Sequence, residues 1–174
     1  MGEFGIGQPV RRKEDVRLLT GKGRYTDDIN VAGQLWAAFV RSNHAHARIL
    51  SIDTSAAKAA PGVVAVFTGA DMTADGIGTL MCEANLESRD GKAMFKPPRP
   101  ALSTDAVRYV GETVAIVVAE TLNQARDAAE QVMVDYEELP SITSTLDCLE
   151  PDAPLVWPQH GSNRASGSAT QSTG

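Results

Sequence analysis

Residues 113–136 read TVAIVVAETLNQARDAAEQVMVDY (Thr113–Tyr136), and three periodicities follow one another within them. Thr113–Ala119 is a continuous apolar, largely β-branched run, the pattern of a buried strand. Thr121 and Gln124 then have the spacing of a capping box, in which the hydroxyl accepts from the third helical N–H and the side chain there reaches back. Ala125, Ala128, Ala129 and Val132 recur at i, i+3, i+4 and i+7, an apolar stripe of small residues that lets a helix lie close on a sheet. Val132, Val134 and Tyr136 return to period two, and Glu137, Glu138, Leu139 and Pro140 close the segment. The stretch therefore predicts strand, helix, strand.

Working upstream, Val63–Thr68 (VVAVFT) is a second continuous run, predicted as a buried strand that ends at Gly69. Before it, Thr54 can cap a short helix through Ala56, Ala57, Ala59 and Ala60, which Pro61 and Gly62 stop. Leu35, Ala37 and Phe39 alternate with Trp36, Ala38 and Val40, a strand signature, and Ala47–Asp53 follows across a loop at Ser42–Ala45 as its expected neighbour. Two clusters of strands and helices result, flanked by irregular connections. Thr73–Pro100 has no sustained period and ends in Lys96, Pro97, Pro98, Arg99 and Pro100, whose prolines favour extended geometry. A loop of that length is either functional and partner-facing or simply mobile.

The ends are different. Gly2, Gly5, Gly7 and Pro9, then Gly21, Gly23, Asp27 and Asp28, suit an extended arm with turns and little regular structure. Arg164–Gly174 holds Ser, Thr, Gly, Ala and Gln without a large apolar residue, a composition expected to be disordered and foreign to the natural protein. The predicted division is an arm over 1–20, a folded domain over 21–160 and a tail over 161–174.

The whole chain has 174 residues, of which 43% are hydrophobic and 22% charged, enough apolar material for one core. No apolar stretch approaches the length of a membrane span, since Glu120 already interrupts the Val114–Ala119 run. No basic and apolar leader opens the sequence, so cytoplasm is the expected compartment. A net charge of −6 has the wrong sign for nucleic acid. Cys82 and Cys148 lack the spacing of a zinc ribbon, although one bridge between them is possible.

Each candidate for chemistry has a plainer alternative. His44 and His46 would put two imidazoles on one side of a strand and could begin a metal site. Only His160 remains as a third imidazole, however, and hydrogen bonds that fix a turn explain the pair as well. Thr20, Gly21, Lys22 and Gly23 evoke a phosphate loop but fail its spacing, which leaves turn glycines. Glu112 precedes a buried strand, yet nothing in the sequence supplies the partner a general base needs. Asp27 and Asp28 could hold Mg²⁺ or cap a turn. The motifs assign no catalytic, cofactor-binding or metal residue.

Four blocks in one order carry a more specific signal. Arg11–Ile29 (RRKEDVRLLTGKGRYTDDI), Arg41–Ile49 (RSNHAHARI), Pro61–Asp71 (PGVVAVFTGAD) and Val107–Tyr136 resemble the start of the molybdenum-binding large subunit of the xanthine dehydrogenase and aldehyde oxidase family. The likeness is to the bacterial branch that includes carbon monoxide dehydrogenase large chains. Asn43 and Thr113 stand where that family often has proline, and Thr113 restores a backbone donor. The resemblance implies an α/β hammerhead domain, an α+β module preceded by an extended arm, which agrees with the two clusters of strands and helices. It further implies a parent enzyme that oxidises aldehydes, N-heterocycles or CO with molybdopterin, and partners that carry [2Fe-2S] clusters and FAD. The family's cofactor contacts and glutamate base lie in domains that follow the hammerhead, so Gly111 and Glu112 are not that base, and this stretch alone is expected to be inactive. Ala101 and Leu102 correspond to residues that can face the substrate funnel, or they anchor the loop to the core. A free-standing binding module with the same fold is the alternative.

Overall fold

The computed structural model describes Gly7, residues 11–84 and residues 91–165. The chain forms two compact units, Met1–Gln34 and Leu35–Gly174. Parts of the predicted arm, of the 73–100 loop and of the tail lie outside the described residues.

Among its described residues, the first unit contains α1 (Asp15–Leu19) and a single 3₁₀ turn, Thr26–Asp28. These two short elements are not signalled by the glycine and aspartate punctuation. Gly21 takes φ +70°, while the Gly21 N–H donates to the Leu18 carbonyl and the Lys22 N–H to the Arg17 carbonyl. This pairing is the Schellman stop, which needs a residue tolerant of left-handed backbone. Thr20–Gly23 thus ends a helix. Asp28 accepts the Tyr25 N–H at 2.9 Å, so of the Asp27 and Asp28 pair it is Asp28 that clamps the turn.

The second unit holds two antiparallel three-stranded sheets. The first has the order β1 (Trp36–Arg41), β5 (Thr113–Ala119), β3 (Val63–Thr68). The second has the order β4 (Ala106–Val107), β2 (Ala47–Asp53), β6 (Met133–Glu138). The expected pairing of β1 with β2 does not occur. Period-two alternation identifies a strand's faces and leaves its partner open. Here the intervening loop moves the chain between sheets: the Ser42 N–H donates to the Glu112 carbonyl beside β5, and the Leu139 N–H to the His46 carbonyl beyond β6.

β5 is the central strand of its sheet, as its apolar run predicts, with Val114, Ala115, Val117 and Ala119 fully buried. β3 lies at the edge, and of its six residues only Val66 is buried, whereas Val64 is 57% exposed at an irregularity in the register. The continuous β-branched run therefore marks a strand without marking a central one.

Helices α2 (Ser55–Ala59) and α4 (Leu122–Ala129) cover one side of the first sheet. α4 brings Ala125 and Ala128 fully into the interior, where Ala128 and Val132 join Ala57, Val66, Ala115 and Val117. Small side chains permit this close approach. Ala47, Val107 and Val114 form a second cluster, and Val40, Ile52 and Val134 pack against both.

The helix starts differ in detail from the reading above. The Thr54 side chain makes no cap bond; Asp53 accepts the Ser55 N–H instead. At α4, Thr121 Oγ1 accepts from the Gln124 N–H at 3.3 Å, but its hydroxyl donates to Gln124 Oε1. The side chain of Gln124 thus closes on the cap hydroxyl. An additional helix, α3 (Gly69–Ala74), follows β3 directly. Its start is set by Thr68, whose N–H and hydroxyl both donate to Asp71 Oδ2 at 2.7 Å.

Candidate functional site

The chain between β4 and β5 makes a tight turn held by hydrogen bonds within the fold. The Arg108 N–H donates to the Glu112 carboxylate, and the Glu112 N–H donates to the Tyr109 carbonyl. The turn is tied to β1 by the Gly111 N–H, which donates to the Ser42 carbonyl at 2.7 Å, and by Arg41 Nη1, which donates to the Gly111 carbonyl at 2.9 Å. Glu112 is therefore a clamp on the backbone.

Arg108 projects from this turn with its side chain 12% exposed. Nη1 donates to the Ala106 carbonyl at 3.0 Å and Nη2 to Asp105 Oδ2 at 3.1 Å. Burial raises the Asp105 pKa, but the hydrogen bond from Arg108 and its positive charge outweigh this and hold the carboxyl below its usual value. The guanidinium stacks on Trp157, 3.8 Å from the ring centroid. Such a contact favours planar arginine over lysine. Trp157 meets Phe95 edge-on at 6.2 Å, and Phe95 stacks on His160 at 3.8 Å.

Arg108 and Trp157, at one end of this ladder, border a cleft of about 340 Å³. Pro97, Pro98, Pro100, Ala101, Arg108 and Trp157 are among the residues that line it. The polyproline segment of the long loop thus lines a cavity. Ala101 is exposed and its carbonyl accepts the Thr113 hydroxyl at 2.8 Å. Leu102 is only 2% exposed and holds the loop to the interior. Sequence reasoning missed Arg108 and Trp157, because neither belongs to a periodic segment and only tertiary folding brings them together.

The other candidates lie apart from the cleft. His44 Nδ1 is 3.3 Å from Glu138 Oε1, and its ring lies 4.7 Å from that of Tyr136. His46 Nδ1 bonds the Pro140 carbonyl at 2.9 Å. The two imidazoles serve separate contacts at the end of β6. Among the described residues, no group of three or more His, Cys, Asp or Glu could hold a metal ion. Cys82 and Cys148 are free thiols, so the possible bridge is not formed. Of the tail expected from residue 161, Asn163 accepts the Val156 N–H and donates to the Pro154 carbonyl, and Ala165 accepts the Phe95 N–H. Residues 166–174 lie outside the described residues.

Two small antiparallel sheets, helices on one side of the first and a proline-walled cleft at their margin define an α+β hammerhead domain. The chain belongs to the family described as aldehyde oxidase and xanthine dehydrogenase, a/b hammerhead domain, which matches residues 20–140. It is 44% identical over 152 residues to the carbon monoxide dehydrogenase large chain of Afipia carboxidovorans, covering 87% of this chain and 17% of that one. Identity reaches 50% over 134 residues with the nicotine 6-hydroxylase large subunit of Paenarthrobacter nicotinovorans, covering 77% and 16%. The solved Cu,Mo-CO dehydrogenase superposes with a TM-score of 0.71 at 39% identity, covering 96% of this chain and 20% of that one. The chain thus spans 16–17% of the length of these two curated relatives. The family resemblance and the hammerhead fold inferred from the four sequence blocks are both borne out. No helix among the described residues is long and apolar enough to cross a membrane.

A molybdopterin, which carries phosphate and a hydrogen-bonding pterin, needs many donors. The cleft does not fit that group: Pro97, Pro98 and Pro100 lack N–H groups, both terminal nitrogens of Arg108 are engaged with Ala106 and Asp105, and the buried Arg108 Nε, which has no hydrogen-bond partner, is a single donor where many are needed.

Proposed function

We propose that this chain serves as the hammerhead domain of a molybdenum-dependent hydroxylase or dehydrogenase large subunit, and that it is catalytically silent by itself. In this reading residues 21–160 form the domain, residues 1–20 the arm, and residues 161–174 a tail. The observation that carries the reading is the family match over 20–140 to a small part of much longer oxidoreductase subunits. It is supported by the cleft chemistry: Glu112 clamps the turn, Thr113 bonds the Ala101 carbonyl, and Arg108 is spent on Asp105 and Ala106.

The parent enzyme would oxidise an aldehyde, an N-heterocycle or CO in the cytoplasm. Molybdopterin would be held by the domains that follow the hammerhead, with [2Fe-2S] and FAD on partner subunits or domains. The hammerhead's part is to scaffold those domains and dock redox partners. Ala101 is the residue through which this domain would border a substrate funnel, with Leu102 anchoring it from behind.

The test is to purify the 174-residue chain, measure molybdenum by elemental analysis and supply CO, aldehydes or N-heterocycles with an electron-accepting dye. We expect neither metal nor dye reduction. Turnover by the isolated chain would refute the assignment.

A further inference from the structure

β5 presents two very different sides. Ala115, Val117 and Ala119 are fully buried beneath the helices, whereas Ile116 and Val118, between them in sequence, are only partly buried. Directly opposed residues of an antiparallel pair point to the same side. Ile116 lies between Phe39 on β1 and Phe67 on β3, and Val118 between Ala37 and Ala65. Two rows of three apolar side chains therefore form one surface, on which Phe39 is 50% exposed. A sheet face meant for water alternates with polar residues, yet all six positions are apolar. Arg41 lies at the margin of this surface, its guanidinium 5.5 Å from the Phe39 ring. The outer edges of the second sheet contrast with this: β4 has two residues, and β6 carries Asp135, Glu137 and Glu138.

We propose that the Ala37, Phe39, Ala65, Phe67, Ile116 and Val118 face seats an apolar surface of the molybdenum-binding domains of a large subunit. The inference rests on the functional reading above and names the surface that reading requires. The relatives supply the occupant: the match covers only 17% of the carbon monoxide dehydrogenase large chain and 16% of the nicotine 6-hydroxylase large subunit. More than four-fifths of each lies outside the hammerhead match. A continuous apolar face of this kind is the mark of an interface that is buried in the complete protein.

The experiment co-expresses the tagged 174-residue chain with the nicotine 6-hydroxylase large subunit deleted of its own hammerhead, whose cognate hammerhead serves as the positive control. We expect capture by the chain, a loss of at least tenfold with Phe39→Lys or Ala37→Lys, and no change with Asp127→Lys on the exposed side of α4. Melting of each variant alone, followed by circular dichroism, establishes that it is folded; Ala37→Lys carries the test should Phe39→Lys not fold. Undiminished capture by the folded face variants would overturn the proposed face and leave the functional reading standing. No capture of the unaltered chain, with the cognate hammerhead captured, would overturn both. Dimers abolished by the face variants, in a chain that captures nothing, would make a second copy the occupant and likewise overturn the proposal.

Discussion

Gly69→Ala is a sharp probe of how the cleft is held. Gly69 opens α3, and a Cβ there would fall 2.6 Å from the Ser103 carbonyl oxygen, 2.7 Å from Thr104 Cγ2 and 2.8 Å from the Leu102 carbonyl oxygen. Two of these atoms are backbone, and Leu102 and Ser103 are each only 2% exposed, so relief requires the 102–104 segment to move. Overpacking of this kind costs about 1–3 kcal/mol. The better helix propensity of alanine returns up to about 1 kcal/mol, which leaves a net loss between about 0 and 3 kcal/mol, centred near about 1.5 kcal/mol. In a chain of this size each kcal/mol is worth about 2–4 °C, so at the centre of that range the melting midpoint falls by about 3–6 °C. The matched control is Gly78→Ala, where a Cβ meets nothing within 4 Å. Reduced freedom of the unfolded chain should make it neutral or stabilising by up to about 1 kcal/mol. Urea titration followed by circular dichroism reads both. If Gly69→Ala were as stable as Gly78→Ala, the close seat of α3 against the 102–104 segment that follows Ala101 would be wrong.

Arg108→Met removes the bonds to Asp105 and Ala106 and the stack on Trp157, leaving the 8%-exposed Ala106 without this donor to its carbonyl; we expect a loss of about 1–3 kcal/mol. In a Trp36→Phe background Trp157 is the sole indole, and its emission should shift to the red; unchanged emission and stability would refute the stacking. Asp71→Asn tests the start of α3. Hydrogen bonds from the Thr68 hydroxyl and N–H hold the Asp71 carboxyl below its usual value, so its contribution is present above the unfolded carboxyl's pKa of about 4 and is lost as pH falls through the lower folded value. The variant should be less stable by about 0.5–1 kcal/mol at neutral pH, and the gap should close below about pH 4 in acid titrations; a pH-independent gap would refute the linkage.

How much of this was legible depends on whether the signal is local. β5, α4 and β6 were readable because each element carries its own period within one stretch, and Ala125 and Ala128 are buried as the stripe requires. The partner of β1 was not readable, since alternation specifies faces and tertiary contacts through Ser42 and His46 choose the sheet. α3 had a signal that was passed over: Thr68 and Asp71 have capping-box spacing, and both halves of the box form. The cleft had none. Arg108 and Trp157 come from separate irregular segments, and the prolines of the long loop indicated extension without indicating what they would line.

The exposure of β5's outer side gives its sequence a second meaning. A strand with one wet face would place polar residues at 116 and 118, yet TVAIVVA keeps Ile116 and Val118 apolar. β1 and β3 agree with it, offering Phe39 and Phe67 to the same row. Local propensity does not account for a departure shared by three strands from distant parts of the chain, because β propensity is satisfied equally by an outward threonine. The common cause is burial: in this unit Val114, Ala115, Val117 and Ala119 are fully buried, while Ile116 and Val118 are only partly covered. The sequence is therefore written for a sheet covered on both faces, and the second cover is what the capture experiment seeks.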